Sequence, residues 1–254
     1  MADWSPSNYL RFEDERTRAA RDLLAGVPLE DARRVVDLGC GPGNSTELLA
    51  ERFPGADLLG LDNSPAMLEA ARRRLPRARF AAGDASSWIP EASVDLVFAN
   101  AVYQWVLGHL AQLVRVVEAM RQRAVLAMQV PDNLTEPSHG PMEAVAREGP
   151  WAARIADAAR DPLPSFSDYY DALAPHAARI DLWRTIYVHP LSNAGAIAEM
   201  YASTGLRPFL EPLTPNEAAA FRRLYEARLA KAYPPAADGK VLLRTPRLFL
   251  VAVH

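Results

Sequence analysis

Three glycines at alternate positions, Gly39, Gly41 and Gly43, sit in the run VVDLGCGPGNSTELL over residues 35–49, with Asp37 before them and Asn44 behind. Glycines in such a turn let the backbone bend sharply and touch a ligand without a Cβ in the way. A second acid, Asp62, ends the apolar run DLLGLD, about twenty residues further on, where a carboxylate can accept hydrogen bonds from ribose hydroxyls. The chemistry these residues suit is the gripping of an adenosine-bearing cofactor. Dinucleotide enzymes space their glycines GxGxxG and dock a pyrophosphate on the helix N-terminus. Here the spacing is GxGxG with an acid inside the preceding strand. That pattern favours a ligand that carries an ammonium group and no phosphate, such as S-adenosylmethionine, over NAD.

The elements that must position these residues follow from the alternation of β-type and helical runs. Strands are expected in RRVVDLG from Arg33, over 57–62, in ARFAAGD up to Asp84, in VDLVFAN up to Asn100 and in AVLAMQV from Ala124. Between them lie helical patterns over 45–53, over 64–75 with Ser64 as cap and Pro65 in first position, and in HLAQLVRVVEAMRQR. This is the rhythm of a mostly parallel sheet flanked by helices. After Val130 come a polar loop, PDNLTEPSHGP, helices over 142–159 and 165–173, an alternating strand from Ile180, helices over 193–204 and from the Thr214 cap to Tyr233, and a closing extended run, KVLLRTPRLFLVAV. No Gly/Ser-rich linker separates these parts. One domain over 1–254 is therefore expected, with 1–130 as the cofactor-binding half and 131–254 supplying the remaining strands and a helical substrate cover.

Composition sets limits on partners. Half of the residues are hydrophobic and 23% are charged, which excludes wholesale disorder. No apolar run approaches the ~20 residues of a membrane span, and the first residues lack the apolar core of a secretory signal. Cys40 is the single cysteine, so no internal disulfide is possible and a reducing cytoplasm is expected. The net charge of −3 argues against a nucleic-acid partner. All but two of the 28 basic residues are arginines, the lysines being Lys231 and Lys240. With so many arginines, none indicates an anionic ligand by its presence alone. Arg72, Arg73 and Arg74 read as a solvated face that compensates a helix dipole, and Cys40 as a small residue packed in a tight turn. There is no Cys/His cluster with metal-ligand spacing and no GxSxG nucleophile motif.

VVDLGCGPGN, LLGLDNSPAML, GDASSW and VDLVFANA together resemble the class I S-adenosylmethionine-dependent methyltransferases. Blocks along the whole chain, among them SNYLRFEDERTRAARDLL, NAVYQWV, MQVPDNLTEPSH, YYDALAP, WRTIYVHP, TGLRPFL, AYPPAADG and PRLFLVAV, look like the trans-aconitate 2-methyltransferases. The resemblance implies a Rossmann-like α/β fold: a seven-stranded, mostly parallel sheet with helices on both faces and a helical cover from insertions in the C-terminal half. It also implies that Asp37, Gly39, Gly41, Gly43 and the following Asn44 surround the methionine moiety. Asp62 would hold the ribose, with Asn63 and Met67 beside the adenosine. Asp84 and Ala85 would meet the adenine with Trp88 near its face, and Asn100 and Ala101 would floor the site beneath the sulfonium. Three departures stand out: Leu107-Gly108 where the family has proline and aspartate, Arg121–Arg123 where it has paired glycines, and Ala19 where it has proline.

The implied reaction moves a methyl group from a sulfonium to a carboxylate of a small polycarboxylic acid. A carboxylate with a pKa of about 4 is already ionised near pH 7, so no residue is nominated as a general base. The acceptor's other carboxylates must be paired if buried, and arginine forks suit them. The candidates are Arg184, Arg207 and Arg247, with Arg11 and Arg244 behind them. Tyr103, Gln104, Trp105 and His139 are candidates for orienting the acceptor, and Trp4, Asn8 and Tyr9 for an N-terminal lid. Two alternatives remain: a methyltransferase for another small acid or a carrier-bound acyl carboxylate, and a non-catalytic S-adenosylmethionine-binding protein. The expected partner is a small polycarboxylate, with no nucleic acid, membrane or metal; oligomeric state is left open.

Overall fold

The structure is a computed structural model and describes residues 12–254. Strands β1 (Arg34–Leu38), β2 (Asp57–Asp62), β3 (Arg79–Ala82), β4 (Leu96–Asn100), β5 (Val125–Pro131), β6 (Arg179–Leu191) and β7 (Val241–Val253) form one sheet in the order β3-β2-β1-β4-β5-β7-β6. β1 pairs in parallel with β2 and β4, β2 with β3, and β4 with β5, while β7 runs antiparallel to β5. The expected seven-stranded, mostly parallel sheet is therefore present. Its strand order reverses between β1 and β4, and in an open α/β sheet the crevice at that point receives the ligand.

The described helices are α1 (Glu13–Ala25), α2 (Asn44–Arg52), α3 (Pro65–Arg74), α4 (His109–Ala119), α5 (His139–Glu148), α6 (Ala152–Ile155), α7 (Phe166–Leu173), α8 (Ala194–Ala202), α9 (Arg207–Leu210) and α10 (Pro215–Ala232). The chain falls into two compact units. One contains residues 12–131, Leu163–Thr185 and Arg247–His254; the other contains Asp132–Pro162 and Ile186–Pro246. β6 and β7 each have residues in both.

In the sheet unit, β4 and β5 are almost wholly buried, which is why their sequences run apolar without alternation. Val36, Leu38, Val97, Leu126 and Met128 on one face pack with Leu113, Val116 and Val117 of α4 and Leu173 of α7. Ser64 caps α3 by accepting from the Met67 N–H at 3.2 Å, and Pro65 starts the helix as expected. The helical unit has its own apolar centre, where Phe221 meets Trp151 (5.6 Å between centroids) and Phe209 (6.0 Å). Capping boxes start α7 at Ser165 and α10 at Thr214. Among the described residues no helix is long and apolar enough to cross a membrane.

Several local expectations are corrected. The single helix over 142–159 is two: α5 begins earlier, at His139, and stops before Gly149-Pro150, since proline offers no N–H to continue the ladder. The Trp151 indole N–H instead donates to the Val145 carbonyl at 2.9 Å and folds the chain back. The 3₁₀ turn Tyr103–Trp105 and the short α9 had no periodic signal. Arg74 is not a solvated residue: it pairs with both Glu13 of α1 and Glu47 of α2. Arg73 does lie in solvent with Glu69.

The arginines that stand in place of paired glycines before β5 have a visible consequence. Arg121 pairs with Asp95, whose second oxygen accepts from the Arg33 and Arg34 N–H groups at 2.6 and 3.0 Å. Arg123 adopts φ 70°, a left-handed conformation that crowds its Cβ, while its N–H donates to the His254 carbonyl at 2.6 Å. Arg123→Gly removes that crowding and keeps the hydrogen bond. Urea unfolding of the variant should show a gain of about 1 kcal/mol; a loss of stability would mean the arginine side chain contributes more than the strain costs.

Candidate functional site

A cavity of about 360 Å3 opens at the carboxyl ends of β1, β2 and β4, a size within the roughly 300–1,000 Å3 of small-ligand sites. The turn after β1 lines it with Gly39 and Gly41, the end of β2 with Asp62 and Asn63, and α3 with Met67. Gly83, Asp84, Ala85 and Ser86 follow β3; Asn100, Ala101 and Val102 follow β4; Trp105, Val106 and Leu107 complete the wall.

Hydrogen bonds fix the turn. The N–H groups of Gly39 and Cys40 both donate to the Leu61 carbonyl, at 2.7 and 2.9 Å. Gly39 has φ 73°, and a Cβ there would come within 2.6 Å of the Val102 side chain. Gly41, at φ 53°, is different: a Cβ there would meet nothing within 4 Å, because it faces the cavity. The Asp62 carboxylate accepts from the Gly41 N–H through one oxygen and from the Ser64 N–H through the other, both at 2.9 Å. Asp84 accepts from the Ser86 N–H at 2.8 Å, which holds its pKa below the usual carboxylate value.

Asp37 lies beneath the turn, fully buried. Its Oδ2 accepts from the hydroxyls of Thr46 (2.6 Å) and Ser45 (2.8 Å), and its Oδ1 has no hydrogen-bond partner. Burial pushes its pKa up to about 6 against the pull of the two hydroxyls, and the charge of Asp62 adds to the rise. Two carboxylates line the cavity, a third lies below it, and among the described residues no arginine or lysine lines it. This set matches hydroxyl and amine donors around a cationic centre. A pyrophosphate would meet acids and, among the described residues, no cation. The residues present therefore fit S-adenosylmethionine.

Of the expected cofactor residues, Gly39, Gly41, Asp62, Asn63, Met67, Asp84, Ala85, Asn100 and Ala101 line this cavity. Asp37, Gly43, Asn44 and Trp88 do not. Gly43 packs on Ala71 of α3, Asn44 donates to Glu13 at 2.6 Å, and Trp88 packs into the core beside α4, its carbonyl accepting from Gln112 at 2.6 Å. Cys40 is buried beside Leu68, Ala71 and Phe80; burial, then the charges of Asp37 and Asp62, push its thiol pKa far up. Gly83, Ser86, Val102, Val106 and Leu107 were not foreseen from the sequence.

The acceptor candidates divide. Trp105 lines the cavity. Tyr103 is wholly buried near His109 (6.2 Å), its hydroxyl without a partner and its pKa raised by burial. Gln104 donates to the Ala101 carbonyl at 2.6 Å. Arg184 lies over the Phe166 ring at 5.7 Å, and Arg247 is half-buried on β7. In the helical unit, Arg207 pairs with Glu211, Arg244 reaches Glu136 at 3.7 Å, and His139 starts α5 rather than lying in a loop. Burial, then the charge of Arg160, lowers the His139 pKa to about 4, so its imidazole is neutral near pH 7. Trp4, Asn8, Tyr9 and Arg11 lie outside the described residues.

Two outcomes are expected. Asp62→Ala should weaken S-adenosylhomocysteine binding by at least about tenfold in calorimetry, since a charged hydrogen-bonding group is lost; an unchanged affinity would remove Asp62 from the site. The second concerns pH. The folded-state pKa of Asp37, about 6, lies above the ordinary 3.8, so the fold holds a proton that the unfolded chain has released. Its contribution is complete below about pH 4 and is lost as pH rises through 6. His139 acts oppositely, its contribution being full above 6.5 and lost towards 4. Comparison of Asp37→Asn with the wild type isolates the first effect: the Tm difference should shift in the variant's favour between pH 4 and 7, and a constant difference would refute it.

Comparison with known proteins agrees with this geometry. A family model described as a methyltransferase domain matches residues 35–123. The trans-aconitate 2-methyltransferase of Rhodopseudomonas palustris (strain BisB18) is 55% identical over 100% of both chains, and that of Rhizobium rhizogenes (strain K84) is 54% identical over 98% of both. The structure of phosphoethanolamine N-methyltransferase 2 from Haemonchus contortus, solved with S-adenosyl-L-methionine, matches with a TM-score of 0.56 at 18% identity, over 98% of this chain and 56% of that one. That last likeness is one of fold. On the full-length identities to its relatives, the chain belongs to the trans-aconitate 2-methyltransferase family.

Proposed function

We propose that this chain transfers the methyl group of S-adenosylmethionine to a carboxylate of trans-aconitate, forming a monomethyl ester. The observation that carries the reading is the end-to-end identity, above half, to relatives bearing that name. S-adenosylmethionine, when bound, supplies a methyl carbon attached to a cationic sulfur.

The chain's own residues bind and orient. Asp62 is fixed by two backbone N–H groups at the end of β2 and is assigned the ribose hydroxyls, with Asn63, Met67, Asp84 and Ala85 around the adenosine. Gly41 leaves space for the methionine portion, while the charge of Asp37 beneath the turn favours its ammonium group. Gly43, Asn44 and Trp88 support that turn and wall from behind. Trp105, Val106 and Leu107 form an apolar rim, and exclusion of water favours a step in which opposite charges cancel. Alignment of the reacting atoms can contribute several kcal/mol, roughly 7–11 in ideal cases. The acceptor carboxylate is already ionised, so no side chain is asked to take a proton.

Arg184, Arg207 and Arg247 are assigned to the acceptor's remaining carboxylates, and Tyr103, Gln104, Trp105 and His139 to its orientation. The same reading takes residues 1–254 as one methyltransferase domain, with 131–254 contributing a cover over the acceptor, and assigns the enzyme to the cytoplasm. An assay with labelled methyl donor against di- and tricarboxylic acids tests it. Trans-aconitate should give the highest kcat/KM and a base-labile ester. Transfer to no small acid, or faster transfer to a carrier-bound acyl group, would overturn the reading.

A further inference from the structure

At the cavity floor, β4 and β5 are in register with Asn100 opposite Gln129. Gln129 is 1% exposed. Its Nε2 donates to Asn100 Oδ1 at 2.7 Å, and its own Oε1 is buried with no partner. The bond fixes which way the Asn100 carboxamide faces. With Oδ1 occupied, Asn100 Nδ2 is the end left over, and among the described residues nothing accepts from it. Of the two Gln129 Nε2 hydrogens one is used by this bond, so reversing both amides would exchange an unpartnered carbonyl oxygen for a second unpartnered N–H, and buried N–H groups without a partner are the rarer of the two.

The backbone beyond Asn100 is equally constrained. Ala101 has φ 57°, left-handed for a residue with a Cβ. Its N–H donates to the Gln129 carbonyl at 2.9 Å, and its carbonyl accepts from Gln104 Nε2 at 2.6 Å. Both Asn100 and Ala101 line the cavity, between the glycine turn and the Trp105–Leu107 rim. Gln129 thus holds the floor twice, through main chain and side chain, without lining the cavity itself. Strained backbone held by its surroundings is a mark of pre-organised sites.

We infer that Gln129 is a positioning residue that turns the Asn100 carboxamide so that its N–H, and not its carbonyl, meets the acceptor carboxylate. The inference rests on the carboxyl-methylation reading. A fixed neutral donor favours an anionic oxygen acceptor and leaves the sulfonium without a competing anion at that point. It also discriminates against an amine, whose own N–H groups would face another donor.

Two substitutions separate the contributions. Asn100→Asp keeps an oxygen for Gln129 to bond but replaces the N–H with a charged oxygen. Gln129→Met conserves length and removes the orienting donor. Transfer to trans-aconitate should fall about a hundredfold in kcat/KM for Asn100→Asp and about tenfold for Gln129→Met. S-adenosylhomocysteine affinity by calorimetry should stay within about threefold for Gln129→Met, whose side chain does not line the cavity. The double variant should be no worse than Asn100→Asp alone, because residues acting through one contact are not additive. Multiplied losses in the double variant, a loss of S-adenosylhomocysteine affinity in Gln129→Met equal to its loss of transfer, or undiminished transfer by Asn100→Asp would overturn the inference. Because Asn100→Asp leaves the Gln129 bond possible, it tests the donor even if Gln129→Met fails to fold. A wild-type enzyme inactive on every small acid would instead defeat the functional reading, a result separate from any variant comparison.

Discussion

The Asp62 carboxylate is the joint on which the cofactor cavity depends. One oxygen takes the Gly41 N–H and the other the Ser64 N–H, so the turn after β1 and the start of α3 are held by a single side chain. Leu61, just before it, takes the N–H groups of Gly39 and Cys40. The two βα turns on this side of the strand-order reversal are thereby one rigid edge. Conformational freedom given up in folding is not charged again when a ligand arrives, which is the physical content of pre-organisation. The same carboxylate sets the sign of the field. With Asp84 beside it and Asp37 beneath, a cation is welcome and a phosphate is not.

The opposite edge is built on strain where the first is built on bonding. β4 leaves the sheet through Ala101 in a left-handed conformation, which brings Val102 against Gly39 so closely that only a glycine fits. The β1 turn and the β4 turn are thus mutually exclusive of larger residues. Backbone strain of this kind persists only when its surroundings determine it, and here Gln129 and Gln104 do so.

Much of this was legible in the residues. The alternation of strand and helix, the Ser64 and Thr214 caps, the glycine turn and the acid at the end of β2 follow local rules, and the structure has them where the sequence puts them. What was not legible is direction. Alternate spacing made three glycines look equivalent, yet Gly39 and Gly41 line the cavity while Gly43 turns its back to it and packs on α3. Asp37 read as a ligand-facing acid, but two hydroxyls in the first turn of α2 hold it beneath the glycine turn. Leu107, 88% exposed at the cavity mouth, stands out in the sequence as a departure from the family pattern, with no signal that it lines the cavity. The Gly149-Pro150 break was written plainly and outweighed by the helical pattern around it. Arg74 was hidden by its neighbours: in an arginine-rich chain, the one that bridges two helices looks like the two that do not.

The burial of Cys40 has a practical corollary. Its sulfur is packed among Leu68, Ala71 and Phe80 and is held protonated by burial and two nearby acids. Thiolate is the form that reacts with alkylating agents and peroxide. Cys40 itself is consequently close to inert towards both, and a cysteine introduced at a surface site would carry the sole addressable thiol. Fluorescent or spin probes can then be attached at one chosen point of the rim without disturbing the turn that holds the cofactor.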